Sequence, residues 1–555
     1  MLRTYINDLK NEFAGYNRNI LSRDIMAGLT VAAVALPLAL AFGVGSGATA
    51  AAGLVTAIIA GFLIGALSGA SFQISGPTGA MMAILITLVH NHGLEGMFIA
   101  TFIAGIMLVI AGIFRFGRLI HFIPSSVITG FTSGIAVIIA LGQLNNFFGV
   151  TSEGELAISK VISYFRIGFD PDIPTMLIGL FVIAIMIFWP KRLNQIIPSS
   201  LASLVIVLII NYFLKLDVAT VGEIPKTLIL SDRLSLVGVS LTQYSELLLP
   251  ALSIAALAMI ESLLCGASAG RLKKERLNND RELVAQGIGN IVIPFFGGVP
   301  ATAAIARTSV VIKAGGVTRL AGIFHAVVLL LSVLMLAPIM SAIPLSALAG
   351  VLIVTAWRMN DWENISYVFG HRFKSGIAEF SITLVATLLL DLTQAIVIGV
   401  AFSAILIVVR LADIDITIRK IDNKKLEEAG ISIPDVPQQI RIAYLTGTIF
   451  FAVVEKLRSQ LSELDDTAIL ILSMRGVPVL DISGLQALYN LVIHLQKKGT
   501  MVLMTSVQPK VLIKLERGGV VDLIGKDRIF NSAEYAIVYA SETYAAQLLE
   551  QSEKI

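Results

Sequence analysis

The chain has 555 residues, of which 56% are hydrophobic and only 14% charged. Soluble globular proteins carry about 25% charged residues, so this composition excludes an ordinary soluble protein and places most of the chain in a membrane. The net charge of +3 gives no footprint for nucleic acid, and the single cysteine, Cys265, excludes internal disulfides and cysteine-based metal clusters. The six histidines are scattered, so no zinc, haem or other cofactor is read from the sequence.

Residues 1–24 are polar and charged and contain no apolar core before a cleavage site, so they read as a cytoplasmic N-terminal segment and not as a leader. Residues 25–410 read as a transmembrane transport domain. Hydropathy divides them into about fourteen apolar segments: 25–43, 49–67, 76–91, 95–114, 124–142, 173–189, 198–214, 248–265, 282–297, 302–313, 318–338, 343–357, 376–390 and 394–410. The third and tenth are short and follow Gly/Pro interruptions. One reads Gln73-Ile74-Ser75-Gly76-Pro77-Thr78-Gly79, the other Phe296-Gly297-Gly298-Val299-Pro300-Ala301-Thr302. They lie seven segments apart, which predicts a seven-plus-seven repeat whose odd length inverts one half relative to the other.

Charge sets the orientation. With the N-terminus inside, the cytoplasmic loops receive Arg115, Arg118, Lys191, Arg192, Arg271, Lys273, Lys274, Arg276, Arg358, Arg372 and Lys374, whereas the outward connections near Gly45, Gly298 and Met340 have no Lys or Arg. Residues 411–437, with Pro434 and Pro437, read as a linker. In 438–555 strand and helix patterns alternate. Ile440–Tyr444, Thr448–Ala452, Ala468–Ser473 and Met501–Thr505 read as strands, and Val453–Leu464 and Leu485–Lys498 as helices. This is a small α/β domain, placed in the cytoplasm by its linker.

Short broken helices at matching positions are the pattern of a secondary transporter's binding site. Their N-termini carry partial positive charge and free N–H donors, which suit an anion. Ser75, Thr78 and Gly79 are candidate contacts in the first break, and Thr302 in the second. Arg307 follows Thr302 by five residues, about 7.5 Å along a helix. It reads either as a counter-charge for the anion or as a structural cation. A cation in that position is costly, by about 2.5–3.5 kcal/mol, and faces a cavity or a partner; Lys313 is better placed to snorkel. Glu261 stands alone in the run Ala255–Cys265. Its ionised form is penalised by desolvation, which makes it a candidate proton carrier; the alternative is a fixed salt bridge, with Arg307 as a candidate partner. Asp391 falls near a segment end and reads as structural. Pro37 can kink the first span next to Phe42. In the α/β domain Asp481 or Ser483 caps a helix.

Taken together, Ser75-Gly76-Pro77-Thr78, Glu261-Ser262-Leu263-Leu264-Cys265 and Pro300 through Arg307 resemble the signatures of the SulP family of anion transporters, related to the pendrin and prestin group. The C-terminal domain resembles STAS, its loop matched by Asp481-Ile482-Ser483-Gly484. The resemblance implies a polytopic α-helical membrane protein with fourteen spans in two inverted repeats. Core and gate bundles would move in an elevator-like way, and family members are commonly homodimers. It places the anion among Phe42, Thr78, Ala301, Thr302, Ala306 and Arg307, with Glu261 as the coupling group. Leu38 stands where many sulfate-type members carry Gln, so the pocket lacks a polar contact of a sulfate specialist, and the pattern Leu36-Pro37-Leu38-Ala39-Leu40-Ala41 with Glu261-Ser262-Leu263-Leu264-Cys265 looks closer to a bacterial dicarboxylate-type branch. Ile482 follows Asp481 where the antagonist relatives have a phosphorylated hydroxyl, which argues against that mode of regulation. The function implied is proton-coupled symport of a sulfate- or dicarboxylate-type oxyanion across the inner (plasma) membrane. The alternatives are sodium-coupled bicarbonate uptake, an anion channel, or a sensor signalling through STAS. No nucleophile–base set or ATP motif supports an enzyme.

Overall fold

The computed structural model describes residues 2–118, 123–153, 157–194, 197–235, 245–390, 392–421, 436–462, 464 and 466–552. Asp391 and Pro434 lie outside the described residues. The chain forms two compact units, Met1–Ala401 and Phe402–Ile555.

In chain order the first unit contains α1 (Leu2–Glu12), α2 (Arg18–Gly45), α3 (Ala50–Leu67), β1 (Ser75–Gly76), α4 (Gly79–Ile113), α5 (Ser125–Gly142), α6 (Leu144–Phe148), α7 (Ala157–Ile167), α8 (Ile173–Phe188), α9 (Lys191–Asn194) and α10 (Ser199–Leu214). It continues with α11 (Leu248–Lys273), α12 (Asn279–Val292), β2 (Thr302–Ala303), α13 (Ile305–Lys313), α14 (Leu320–Ser341), α15 (Leu345–Met359), α16 (Trp362–Gly370) and α17 (Lys374–Leu389), and α18 (Leu392–Leu411) runs across the division. Every apolar segment read from hydropathy falls on a helix. Among the described residues, seven helices are long and apolar enough to cross a membrane, and three shorter apolar ones accompany them. The third and fourth segments share α4, which Gly93 breaks at φ 68°, ψ −174°. The N-terminal segment contains the helix α1, which the sequence reading does not include. Its Glu12 pairs with Arg319 at 2.7 Å, and its Asp8 pairs with Arg281.

The helices pack in two groups. Helices α2, α3, α4, α11, α12, α13 and α14 contact one another, and α5, α8, α10, α15 and α17 form the other set. Contacts inside the first group are made through small residues. A Cβ on Gly53 of α3 would lie 1.9 Å from the Ala39 carbonyl of α2. A Cβ on Gly287 of α12 would lie 2.6 Å from the Gly105 carbonyl of α4. In lipid, where apolar side chains gain little from meeting one another, such backbone-to-backbone fit carries helix association. The two breaks meet inside this group: β1 pairs antiparallel with β2, Ser75 opposite Ala303 and Gly76 opposite Thr302.

The second unit contains β3 (Asp415–Lys420), β4 (Ile440–Thr446), α19 (Val454–Leu461), β5 (Ile469–Gly476), α20 (Ile482–Lys497), β6 (Met501–Thr505), α21 (Pro509–Arg517), α22 (Val520–Ile524), β7 (Ile529–Phe530) and α23 (Ala533–Ser552). The sheet order is β3-β4-β5-β6-β7, antiparallel at the first pair and parallel elsewhere. Strand side chains alternate between two cores. Leu470, Leu472 and Met474 face one, and Ile469 and Ile471 the other, which gathers on α23. Two expectations are corrected. Residues 415–420, read as linker, form an edge strand. The strand read at Thr448–Ala452 does not form, because Gly447 turns the chain at φ 130° and only Ile449 bridges, to Leu480. Asp481 caps α20, accepting from the Gly484 N–H at 2.7 Å.

The α4–α12 contact generates a direct stability test. Gly287→Val forces a branched side chain into the Gly105 backbone, and overpacking of this kind costs about 1–3 kcal/mol. It should lower the thermal midpoint of the detergent-solubilised protein. Gly65→Ala, whose added Cβ meets nothing within 4 Å, should leave the midpoint unchanged.

Candidate functional site: the crossing of the two broken helices

Neither broken segment can hydrogen-bond to itself, so the surrounding helices satisfy its backbone. The Ala304 N–H donates to the Ile74 carbonyl at 2.9 Å, and the Ile74 N–H to Thr308 Oγ1 at 3.0 Å. From α11, Ser262 Oγ accepts the Ala303 N–H at 3.2 Å, and its carbonyl accepts Gln73 Nε2 at 2.7 Å. From α3, Thr56 Oγ1 donates to the Val299 carbonyl at 2.8 Å. Non-helical backbone persists at membrane depth only with such cover.

Beyond the strand pair each break turns into a helix. Thr78 caps α4: its hydroxyl accepts from the Met81 N–H at 3.4 Å and donates to Glu261 Oε2 at 2.8 Å. The cap of α13 is Ala304, which offers no side-chain acceptor. Ile305 and Ala306 in its first turn are exposed, so that helix end is open. Arg307 is 1% exposed, and its Nη2 donates to the Pro77 carbonyl. Its Nη1 has no hydrogen-bond partner within the protein. It lies against Gly76, where a Cβ would approach Nη1 to 2.5 Å. Glycine at 76 is therefore a requirement of the guanidinium's path. Arg307 is the third residue of α13, closer to the helix start than the sequence reading had it, because Thr302 and Ala303 are taken up by β2.

Besides Arg307, the eight other predicted site residues fall into four sets. Thr78 and Glu261 are bonded to each other. Phe42 and Gly79 are neighbours, and Ile139 of α5 and Met359 of α15 reach the same spot, where the two helix groups meet. Ala306 is exposed at the open turn. Three residues are instead occupied inside the protein. The hydroxyl of Ser75 accepts from Gln286 at 2.8 Å. That of Thr302 lies 2.9 Å from Ser262 Oγ and 3.3 Å from the Ala258 carbonyl. Ala301 is fully buried and clamped by Asn290. Among the described residues no ion pair joins Glu261 to Arg307, so Glu261 is not held in the fixed salt bridge considered from sequence. Four residues that hold the crossing, Gln73, Ser262, Gln286 and Asn290, were missed. The signal was present in the last two, which are polar, four residues apart, and set in the segment read as apolar over 282–297.

Discontinuous apolar helices crossing at a buried arginine and a lone carboxylate define a membrane transporter of the broken-helix class. A model of the sulfate permease family matches residues 21–386, and one of the STAS domain matches 433–536. This chain belongs to the sulfate permease family, a family of transporters and not of enzymes. YvdB of Bacillus subtilis, whose given name assigns it provisionally to sulfate transport, is 32% identical over 534 residues, covering 94% of this chain and 98% of its own. The bicarbonate transporter BicA of Picosynechococcus is 28% identical over 548 residues, covering 94% of both. The solved transmembrane domain of a cyanobacterial BicA matches with a TM-score of 0.63 at 30% identity, over 70% of this chain and 98% of its own. The murine solute carrier 26 member A9 anion transporter, solved facing inward, shares the fold: its TM-score is 0.83 at 18% identity, over 95% of this chain and 92% of its own.

The Gly76 contact generates a prediction. Gly76→Ala displaces the guanidinium without changing any charge. If Arg307 contributes to ligand binding, the loss of one hydrogen bond to a charged group is worth about 1.5–3 kcal/mol, or roughly ten- to hundredfold in affinity. Titration of the purified protein with sulfate and with bicarbonate by isothermal calorimetry should show Gly76→Ala weakened to the same degree as Arg307→Ala.

Proposed function

We propose that this protein is a secondary active transporter of small anions, which binds its substrate at the open first turn of α13 beside Thr78 and Arg307. The leading substrate class is a sulfate- or dicarboxylate-type oxyanion, carried with protons. The observation that carries this reading is the hydrogen bond from Thr78 Oγ1 to Glu261 Oε2 at 2.8 Å. A threonine hydroxyl has one proton to donate. While Glu261 is ionised, that proton is committed to the carboxylate. Once Glu261 takes up a proton, the acid can donate to Thr78 instead, and the threonine proton is released toward an incoming anion. Proton and anion then bind cooperatively, because protonation both frees a donor and removes like-charge repulsion. Arg307 supplies the positive charge throughout. Its unpaired Nη1 and the uncapped α13 N-terminus favour a negative ligand for the same electrostatic reason.

The meeting of two helix groups at Gly79 fits an elevator-like motion, in which the group bearing the crossing slides against α5 and α15. The protein would act in the inner (plasma) membrane as a homodimer, with its N-terminus and STAS domain in the cytoplasm. A second reading, sodium-coupled bicarbonate uptake, is favoured by the BicA relatives.

Uptake of radiolabelled sulfate, succinate, fumarate and bicarbonate into proteoliposomes, with an imposed pH or sodium gradient, separates the two readings. In the proton-coupled case Glu261→Gln mimics the protonated acid, because its amide can donate to Thr78. It should retain counterflow exchange and lose accumulation driven by an inward proton gradient. A Gln variant that still concentrates substrate on protons alone removes Glu261 from the coupling role.

A further inference from the structure

Helix α12 carries Glu282, Gln286 and Asn290, each fully buried. Their four-residue spacing puts all three on one stripe. A buried amide or carboxylate without partners costs several kcal/mol, so a membrane helix keeps such a stripe only where it has bonds to make. These bonds converge on the two breaks. Asn290 clamps Ala301 from both sides, Oδ1 accepting the Ala301 N–H at 2.8 Å and Nδ2 donating to the Ala301 carbonyl at 2.9 Å. Gln286 Nε2 donates to Ser75 Oγ and to Glu282 Oε1, both at 2.8 Å. Glu282 Oε2 accepts from Ser68 Oγ at 2.6 Å and from the Gly69 N–H at 2.9 Å, on the connection leading into β1. One helix therefore grips both halves of the crossing.

The strand pair cannot set its own register. It is two residues long, and an isolated two-stranded ladder is marginal even at greater length. A slip of one residue would turn every side chain to the opposite face. The register has specific consequences here: it puts Gly76, the residue with no Cβ, against Arg307 Nη1, and Thr302 against Ser262. Any other residue at the Gly76 position would push the guanidinium away.

We infer that the Glu282–Gln286–Asn290 stripe is the register lock of the crossing. Gln286 pins the first break at Ser75, Asn290 pins the second at Ala301, and Glu282 anchors Gln286. These are positioning residues. They touch neither the open α13 turn nor Glu261, and they act on the substrate only by holding the two helix N-termini in place. The inference rests on the transport reading for its kinetic consequence, but not for its structural one.

The test uses the full-length protein in proteoliposomes. The variants are Gln286→Ala, Asn290→Ala and the conservative Asn290→Asp, with Thr101→Val as control. Thr101 is equally buried on α4 but bonds only within its own helix, to the Met97 carbonyl. Two readouts are taken: KM and Vmax for sulfate and bicarbonate uptake, and amide hydrogen exchange over residues 72–80 and 299–306. Asn290→Ala should raise KM at least tenfold with Vmax within threefold, and speed exchange at 299–306. Gln286→Ala should do the same with faster exchange at 72–80. Asn290→Asp keeps the acceptor for the Ala301 N–H and should recover much of the protection; it also carries the test if the alanine variant does not fold. Variants matching Thr101→Val in KM and in exchange would overturn the lock, as would exchange that rises evenly over α2–α14. If the wild type carries none of sulfate, bicarbonate, succinate and fumarate, the transport reading fails, and exchange alone decides the lock.

Discussion

A polypeptide that leaves the helix inside a membrane must find a hydrogen bond for every freed backbone group, because no water is there to supply one. That constraint governs the transport unit. Each break would be untenable alone. Together they satisfy part of the requirement across the β1–β2 pair, and α3, α11, α12 and α13 contribute further bonds through Thr56, Ser262, Asn290 and Thr308. The arrangement leaves α4 and α13 starting at the crossing. Polar groups concentrate there because the backbone demands them, and beside them the Pro77 carbonyl holds Arg307 and Thr78 holds Glu261.

The packing of the first helix group follows from that demand. Bringing α12 close enough for Asn290 to clamp Ala301 requires α12 to sit against α4, and Gly105 and Gly287 permit it. Bringing Arg307 across the first break requires glycine at 76. The N-terminal helix α1 ties the ends of the same group through Arg281 and Arg319, with Tyr5 lying near both guanidinium groups and donating to the Ala66 carbonyl. Among the described residues the second group has no counterpart to the crossing, and it reaches the site at Gly79 through the apolar side chains of Ile139 and Met359.

Much of this was legible in the sequence, for identifiable reasons. Membrane helices announce themselves by hydropathy, so the apolar segments fell on helices and the two breaks stood out as Gly/Pro interruptions. Thr78, Glu261 and Arg307 were legible because a polar or charged residue in an apolar run needs a purpose. Side-chain direction was not legible. Ser75 and Thr302 look like ligand donors until the strand pair turns them toward Gln286 and Ser262. The polar stripe on α12 escaped because amides draw less attention than charges. In the STAS domain, alternation located three of the four strands read there. The edge strand at 415–420 was missed because half-exposed strands such as Asp415–Lys420 carry the charges of a linker.

The central claim is that the crossing forms the anion site. Selenate has the shape and charge of sulfate and carries an anomalous scatterer, so a crystal of the protein grown with it and measured at the selenium edge reports the site directly. The account predicts one dominant peak at the open first turn of α13, within reach of Thr78 and the Arg307 guanidinium. Selenate bound elsewhere in the transport unit, with that turn empty, would contradict it.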